Sequence, residues 1–459
     1  MPGSIKLLAS LAALCSVAHA WLPSNKTGYH ILGKPDVLGP KWLQSEKVRG
    51  VNLGSLFVFE PWLCGKEWKE MGCENLDSEW DCVKKLGEEK ARSAFAGHWS
   101  SWITEKDFDE MRSYGLNTVR VPLGFWINED LVEEGEYYPK GGLEYLLKIC
   151  EMASSRGFYI MLEMHGAPGV QVANNSFTGH ATPDVKFYSD KNFKRGVEFL
   201  KWLTNLAHTK TEMRNVGMIG VVNEPEGHHD SLRSRFYPDA YKGIRQVEST
   251  LNINTTNKLH ISFMNSLWGS GDPKEFIPAG IESLAFEDHR YQKHDTGLVL
   301  NHEAYIDDSC TNDRSAENET PTFVTEWCIS PPDSVESSDP AWVRDGNEDF
   351  YRAWFRAQVL GYEKSAAGWT YWTWKSQLGD WRWSYQEAVA AGIIPKDLDS
   401  MANSGICGTQ HLDDPSNTLS SNPAAQTSSD STPRTNDLSR TMVLGTSLTI
   451  GSLLNWVLI

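Results

Sequence analysis

The chain has 459 residues, 40% of them hydrophobic and 22% charged, and a formal net charge of −17. This composition is that of a globular protein rather than a disordered one, and the length fits one large domain or two ordinary ones. The negative charge argues against nucleic acid or an anionic membrane surface as a partner, because phosphate groups would be repelled.

The N-terminus is predicted to be a secretory signal peptide at 1–20. Lys6 precedes an apolar run at 7–17, and residues 18–20 read Ala-His-Ala, a small-x-small cleavage pattern, so the mature chain is expected to begin at Trp21. Four Asn-x-Ser/Thr sequons are consistent with a eukaryotic secretory route. They begin at Asn25, Asn174, Asn254 and Asn318.

Seven cysteines remain once Cys15 leaves with the signal peptide. In an oxidising compartment most should pair, and an odd number leaves at least one free or paired between chains. Cys150 is the candidate free thiol, because residues 146–150 read as the buried face of a helix. The spacing of the first three cysteines does not match a zinc site, and they are interpreted as loop staples: Cys64, Cys73 and Cys82.

Eight strand-like runs recur through the body of the chain, with helical patterns between most of them. The runs are Val48–Phe59, Leu116–Leu123, Tyr159–Met164, Gly217–Asn223, Leu259–Met264, Ser283–Phe286, Thr322–Thr325 and Gly368–Trp374. The helical patterns are Glu105–Tyr114, Leu143–Ser155, Asp190–Leu206, Tyr241–Leu251 and Asn347–Leu360. This alternation predicts an α/β fold, a single (β/α)8 TIM barrel over residues 21–411. A doubly wound sheet is the alternative, but no GxGxxG follows a strand to support it.

The C-terminus is predicted to be a linker followed by an anchor signal. Residues 412–441 are rich in Ser, Thr, Asn and Pro, which is typical of a linker or an O-glycosylated stalk. Residues 442–459 are uncharged and mostly apolar, and small residues around 428–431 precede them. This arrangement is typical of a GPI-anchor signal, with a short C-terminal membrane helix as the alternative. The anchor is the expected membrane attachment.

Polar and aromatic side chains follow the predicted strands where each one ends. Taken singly, each has a structural explanation, such as an ion pair, a core histidine or tryptophan packing. Because the C-terminal ends of barrel strands meet at one mouth, their shared position predicts a catalytic site there. In strand order they are Glu60, Arg120, His165, Asn223 with Glu224, His289 with Tyr291, Glu326, and Trp372.

Glu224 and Glu326, after the fourth and seventh strands, form a pair of carboxylates suited to glycosidic bond cleavage. One must donate a proton to the leaving oxygen and the other must attack the anomeric carbon. Arg120 is expected to keep Glu326 ionised, and a dry setting is expected to raise the pKa of Glu224. Asn223 would bind the sugar 2-hydroxyl, Tyr291 would orient the nucleophile, and Trp372 would offer a flat face to the ring.

Neither a cofactor nor a metal is predicted. A metal-dependent hydrolase would need histidines at a ligand-like spacing such as His-Glu-x-x-His. The four candidate histidines lack that spacing: His165, His228, His229 and His289.

The motifs Asn223-Glu224-Pro225 and Thr325-Glu326-Trp327, with Arg120 and His165, resemble those of glycoside hydrolase family 5. The resemblance implies Glu224 as acid/base, Glu326 as nucleophile, and retention through a glycosyl-enzyme intermediate. It also implies that the substrate is bound at the point of cleavage by Glu60, Arg120, His165, Asn223, His289, Tyr291 and Trp372.

Longer motifs are similar to the fungal β-glucanase branch of that family over roughly Val48 to Cys407. They include residues 49–54, 98–104 and 165–169. The stretches 171–179 and 394–398 resemble endo-β-1,6-glucanases more than exo-β-1,3-glucanases, so β-1,6-glucan is the expected substrate. A wall-remodelling transglycosylase and a non-catalytic glucan-binding wall protein stay open as alternatives, and a monomer is expected.

Overall fold

The computed structural model describes residues 48–408 except 228, 269–270, 278–282, 314–319 and 402–404. Its centre is a closed barrel of eight strands in sequence order, each parallel to its neighbours, with β8 paired to β1. The strands are Val48–Asn52 (β1), Thr118–Gly124 (β2), Tyr159–Gly166 (β3), Val216–Gly220 (β4), His260–Met264 (β5), Leu284–Arg290 (β6), Thr322–Trp327 (β7) and Gly368–Tyr371 (β8). The predicted (β/α)8 barrel is confirmed.

Helices connect the strands on the outside of the barrel, and all five predicted helices are present. The α-helices of the described residues are Gly65–Glu70 (α1), Glu79–Leu86 (α2), Glu88–Ser101 (α3), Glu105–Ser113 (α4), Gly142–Ser155 (α5), Asp190–Thr209 (α6), Tyr237–Thr250 (α7), His302–Thr311 (α8), Glu348–Ser365 (α9) and Tyr385–Ala390 (α10). Helix α4 begins at a capping box, in which Thr104 and Asp107 satisfy backbone N–H groups at the helix start.

The inside of the barrel changes from apolar to polar along the strands. A separate buried cluster near the strand starts contains Tyr159 and Met161 of β3. Because side chains two apart share a face of a strand, Glu163 and His165 continue the same inward row. The interior is therefore sealed by apolar side chains at one end and lined by polar ones at the end where the strands finish.

Several strand ends differ from the predicted ones. The predicted run 48–59 stops being a strand after Asn52, and Ser55 lies in the left-handed region at φ 58°. Likewise β8 ends at Tyr371 instead of Trp374, while β6 and β7 run on to Arg290 and Trp327. Apolar residues continue past the ends of β1 and β8, whereas mostly polar residues complete β6 and β7, so hydrophobicity alone could not mark the ends.

Two disulfides form, Cys73–Cys82 and Cys310–Cys407. The predicted free thiol, Cys150, is free and buried, and the described residues contain two further free, buried thiols, Cys64 and Cys328. The interpretation of the first three cysteines as loop staples is therefore wrong for Cys64, which is packed in the core.

The barrel falls within a compact unit that ends at Gly408. Outside the described residues lie the predicted signal peptide, linker, anchor signal and sequons at Asn25 and Asn318. The sequons at Asn174 and Asn254 are exposed. Among the helices described, none has the length and apolar character needed to cross a membrane.

Candidate active site

Arg120 lies at the centre of the barrel mouth, where β2 positions it among residues from other strands. Its Nη1 donates to Oε1 of Glu326 at 2.8 Å and to Oδ1 of Asn52 at 2.9 Å. Its Nη2 donates to Glu163 and, at 3.1 Å, to Oδ1 of Asn223. The guanidinium is 1% exposed, so these partners replace the water that it loses on burial.

Glu326, at the end of β7, is held at both carboxylate oxygens. Arg120 binds Oε1, and the hydroxyl of Tyr291 donates to Oε2 at 2.8 Å. The predicted contacts of Arg120 and Tyr291 with this carboxylate are both present. Fixed charge-assisted hydrogen bonds of this kind orient a carboxylate for attack in one direction.

Glu224 follows β4 and is paired with His289 of β6. The imidazole Nδ1 lies 2.6 Å from Oε1 of Glu224 and 3.5 Å from Oε2 of Glu326. Burial disfavours a charged imidazole, but Glu326 and Glu224 outweigh it and raise the pKa of His289 to about 9. Burial likewise disfavours the Glu224 carboxylate, but the hydrogen bond and charge of His289 lower the pKa of Glu224 below its ordinary value.

The expectation that a dry setting raises the pKa of Glu224 is therefore wrong for this site. Burial does act on the carboxyl in the expected direction, but the adjacent imidazolium reverses the outcome. For this pair, the two pKa shifts favour a proton on the histidine over a proton on the carboxyl.

The backbone at Glu224 is strained. Its φ is 37°, in the left-handed region that residues with a Cβ avoid. The turn is held by Gln171, whose Nε2 donates to the carbonyls of Asn223 and His165 at 3.1 and 2.6 Å. This turn directs Glu224 away from its strand and toward β6 and β7.

The two carboxylates lie close together. Oxygen atoms of Glu224 and Glu326 and a nitrogen of His289 all lie within 4.8 Å of one another. Such a group could offer ligands to a metal ion, although Arg120 and Tyr291 already occupy the oxygens of Glu326. The absence of a metal stays a prediction. Carboxylate oxygens no more than 4.8 Å apart fit the retaining glycosidases, whose carboxyl groups are about 5 Å apart, since inverting enzymes need room for a water molecule between them.

The other predicted residues line the same mouth. Glu60 accepts a hydrogen bond from Nε1 of Trp62 at 2.9 Å. Burial raises the pKa of Glu60 to about 8, and the charges of Glu326 and Glu224 add to the effect. His165 stacks on Trp372, with ring centroids 5.7 Å apart and planes 10° apart. All nine predicted site residues thus lie together at the barrel mouth.

Sequence reasoning missed the polar residues beneath the mouth, which include Asn52, Glu163 and Glu287. Glu163 contacts Arg120 and lies 2.8 Å from Nδ1 of His165. Glu287 accepts from the Ser262 hydroxyl at 2.5 Å and lies 3.3 Å from Nε of Arg120. Each of them continues an alternating row whose earlier inward positions are apolar, and this register was a signal that could have found them.

Gly220 makes room for these carboxyls. A Cβ at this position would lie 2.5 Å from Oε1 of Glu287 and 2.8 Å from Cγ of Glu163, closer than real Cβ atoms come to a neighbour. The end of β4 is thus open on its inner face, and the two carboxyl side chains occupy that space.

Residues 83–378 match the family described as Cellulase (glycosyl hydrolase family 5). The chain belongs to glycosyl hydrolase family 5. It is a glycoside hydrolase, as the paired carboxylates indicate, and the match runs from α2 to the loop after β8.

The chain is similar to several known proteins, with sequence identities that differ between them. It is 50% identical over 409 residues to the probable glucan endo-1,6-beta-glucosidase B of Neosartorya fischeri, covering 88% of this chain and 100% of that protein. It is 28% identical over 416 residues to the glucan 1,3-beta-glucosidase of Blumeria graminis, covering 81% and 92%. The rutinosidase structure from Aspergillus niger shares the fold, with a TM-score of 0.58 at 20% identity over 76% and 98% of the two chains.

Proposed function

We propose that this protein is a retaining endo-β-1,6-glucanase that acts on β-glucan of a fungal cell wall. The observation that carries the linkage is the 50% identity to a probable glucan endo-1,6-beta-glucosidase over that protein's whole length. The 28% identity to a glucan 1,3-beta-glucosidase supports the exo-β-1,3 alternative less well.

In the first step Glu326 attacks the anomeric carbon while a proton passes to the leaving oxygen from Glu224. The carboxylate separation supports this double displacement over direct attack by water. Because the pKa shifts favour the proton on His289 in the free enzyme, it would cross the 2.6 Å hydrogen bond to Glu224 before the leaving oxygen receives it. In the second step Glu224 takes a proton from water, which displaces Glu326 from the sugar.

In this proposal Asn223 binds the sugar 2-hydroxyl. Its Oδ1 accepts from Arg120, and its Nδ2 is buried without a hydrogen-bond partner among the residues described. A buried donor without a partner costs about 1–3 kcal/mol, so a sugar oxygen that accepts from it would be bound favourably. Trp372 lies against His165 and would stack under the same sugar ring.

The experiment is product analysis on pustulan and laminarin side by side, with product anomers followed by NMR. Short gentio-oligosaccharides released first as the β-anomer support the proposal. Glucose released only from laminarin would replace it with the exo-β-1,3 activity, and longer products at high oligosaccharide concentration would indicate transglycosylation.

Variants test the two roles. Glu224→Gln and Glu326→Gln should each reduce pustulan cleavage by at least about 10³-fold while the fold is retained. Glu70→Gln, an exposed glutamate of α1, is the matched control. Retention of cleavage by either site variant would remove the role assigned to that residue, and loss in both would also exclude a purely glucan-binding protein.

We also infer that the protein is secreted and held at the cell surface by a GPI anchor. The inference is supported by the composition of residues 1–20 and 442–459. Treatment of intact cells with phosphatidylinositol-specific phospholipase C should release the protein. A mature protein that still contains 442–459 would contradict the inference.

A further inference from the structure

Glu163 is a buried carboxyl that the proposed reaction does not use. It lies on β3 two residues before His165, so the two side chains share the inner face of the strand. One of its oxygens contacts Nη2 of Arg120, and the other lies 2.8 Å from Nδ1 of His165. It thus connects the arginine that holds the nucleophile to a histidine of the sugar site.

His165 has little freedom to turn. One face of its ring lies against Trp372, and Phe177 contacts it edge-on at a centroid distance of 5.4 Å. Its backbone carbonyl is bound by Gln171. Within the described part of the chain, Nδ1 is the ring nitrogen that has a hydrogen-bond partner, so its partner decides which nitrogen carries the hydrogen.

Arg120 faces more carboxyl groups than it can neutralise. Its guanidinium contacts Glu163, Glu326 at 2.8 Å and Glu287 at 3.3 Å. The protonated His289 adds a second cation, but it is paired with a fourth carboxyl, Glu224, at 2.6 Å. Arg120 is then the remaining cation for Glu163, Glu287 and Glu326 and cannot stabilise all three as anions, while the proposed nucleophile Glu326 has to be ionised. A proton is therefore expected on one of the other two.

The local pKa values agree with a proton on Glu163. Burial raises the pKa of Glu163 to about 8, although Arg120 acts against the rise. Burial lowers the pKa of His165 to about 3, so the imidazole is neutral at any pH where the enzyme would work. Titratable and charged groups face Glu163 from each strand that packs around it: Arg120 on β2, His165 on β3, Glu224 after β4, and Glu287 and His289 on β6.

We propose that Glu163 is a positioning residue that keeps a proton, donates it in a hydrogen bond to Nδ1 of His165, and so leaves the histidine N–H on Nε2 for the sugar. This rests on the proposed function only in assigning His165 to the sugar. When Glu163 loses its proton to solvent, the histidine hydrogen moves to Nδ1 and is donated to Glu163. Nε2 then accepts hydrogen bonds instead of donating them, and the site presents the opposite polarity to the same sugar oxygen.

The direct test is the tautomer of His165 in the full-length protein, read from ¹⁵N shifts of histidine-labelled enzyme and assigned with His165→Gln. At about pH 6 the hydrogen is expected on Nε2, and at about pH 9.5 on Nδ1. A hydrogen on Nδ1 at about pH 6 would mean an ionised Glu163 and would overturn the proposal. This measurement needs no substrate, so it decides independently of whether the protein cleaves β-1,6-glucan.

Glu163→Gln gives a second test. Its amide oxygen can accept from Arg120 while its amide N–H donates to Nδ1 of His165, which fixes the hydrogen on Nε2 at every pH. The fall of kcat/KM between about pH 6 and pH 9 should then be at least about threefold smaller than in the wild type. A fall as steep as that of the wild type would contradict the proposal. If the variant does not fold, the measurement of the His165 tautomer in the wild-type enzyme decides whether the proposal holds.

Discussion

Removal of the Tyr291 hydroxyl should slow the enzyme without stopping it. The hydroxyl donates to Oε2 of Glu326 at 2.8 Å, and Arg120 binds the other oxygen independently. In Tyr291→Phe the carboxylate therefore keeps its position at one oxygen and loses one partner at the other. In the proposed mechanism Glu326 departs as a carboxylate when the glycosyl-enzyme is hydrolysed, and the hydroxyl would stabilise that carboxylate, so we expect the second step to be slowed most.

The size of the effect follows from the charge. A hydrogen bond to a charged group contributes about 1.5–3 kcal/mol, which corresponds to roughly a 10- to 150-fold lower kcat. Loss of Arg120 would cost more, because it also binds Asn52, Asn223 and Glu163.

The assay is burst kinetics with an aryl β-gentiobioside, which separates formation of the glycosyl-enzyme from its hydrolysis. Tyr291→Phe should show a burst of released phenol followed by a slow steady state. Tyr114→Phe is the matched control, since Tyr114 donates to Glu110 at 2.6 Å in a tyrosine–glutamate pair away from the mouth. A kcat for Tyr291→Phe within twofold of the control, or a loss confined to KM, would refute the reasoning.

Three further outcomes are expected. Histidine NMR should show His289 protonated up to about pH 9, and an imidazole neutral at pH 7 would contradict its pairing with carboxylates. Because the folded pKa of Glu60 is raised from 4.5 to about 8, its ionisation destabilises the wild type as pH rises through this range. Glu60→Gln should therefore gain stability relative to wild type by up to about 4 kcal/mol between about pH 5 and pH 9, and parallel urea curves would exclude this. Cys407→Ser, which opens a disulfide of sequence separation 97, should lower the free energy of unfolding more than Cys82→Ser, whose disulfide has a separation of 9. Losses of about 4–5 and 2–3 kcal/mol are expected by urea unfolding, and equal losses would contradict the loop-length argument.

The fold could be predicted because most strands are runs of mainly apolar residues, and polar segments separate each run from the next. The runs at 159–164 and 259–264 begin within a residue of the strands observed. Helices α1 to α3, α8 and α10 were not predicted, and α3 shows why. Its buried residues Ala91, Phe95 and Trp99 lie four apart, but exposed and small residues between them weaken the helical pattern.

The two proposed catalytic residues, Glu224 and Glu326, could be predicted because each lies at or just beyond the end of a strand, and strand ends converge by the geometry of the fold. The lowered pKa of Glu224 could not be predicted from the sequence, because it depends on a hydrogen bond to His289, which is 65 residues away in sequence. Glu163 was missed for a related reason. Within an apolar strand a lone glutamate reads as an exposed residue, and only the register shows that it points inward.

Gly220 has a consequence for how this site can change over evolutionary time. Its missing side chain is the space that Glu163 and Glu287 occupy, so the three positions cannot vary independently. An alanine at 220 would come too close to both side chains, so it becomes tolerable only after Glu163 has become smaller and the Glu287 carboxyl has moved. A shortened side chain in turn leaves a void that the alanine would fill. The order in which such substitutions can accumulate is thus constrained by contact, which makes this strand end a point of epistasis beneath the catalytic pair.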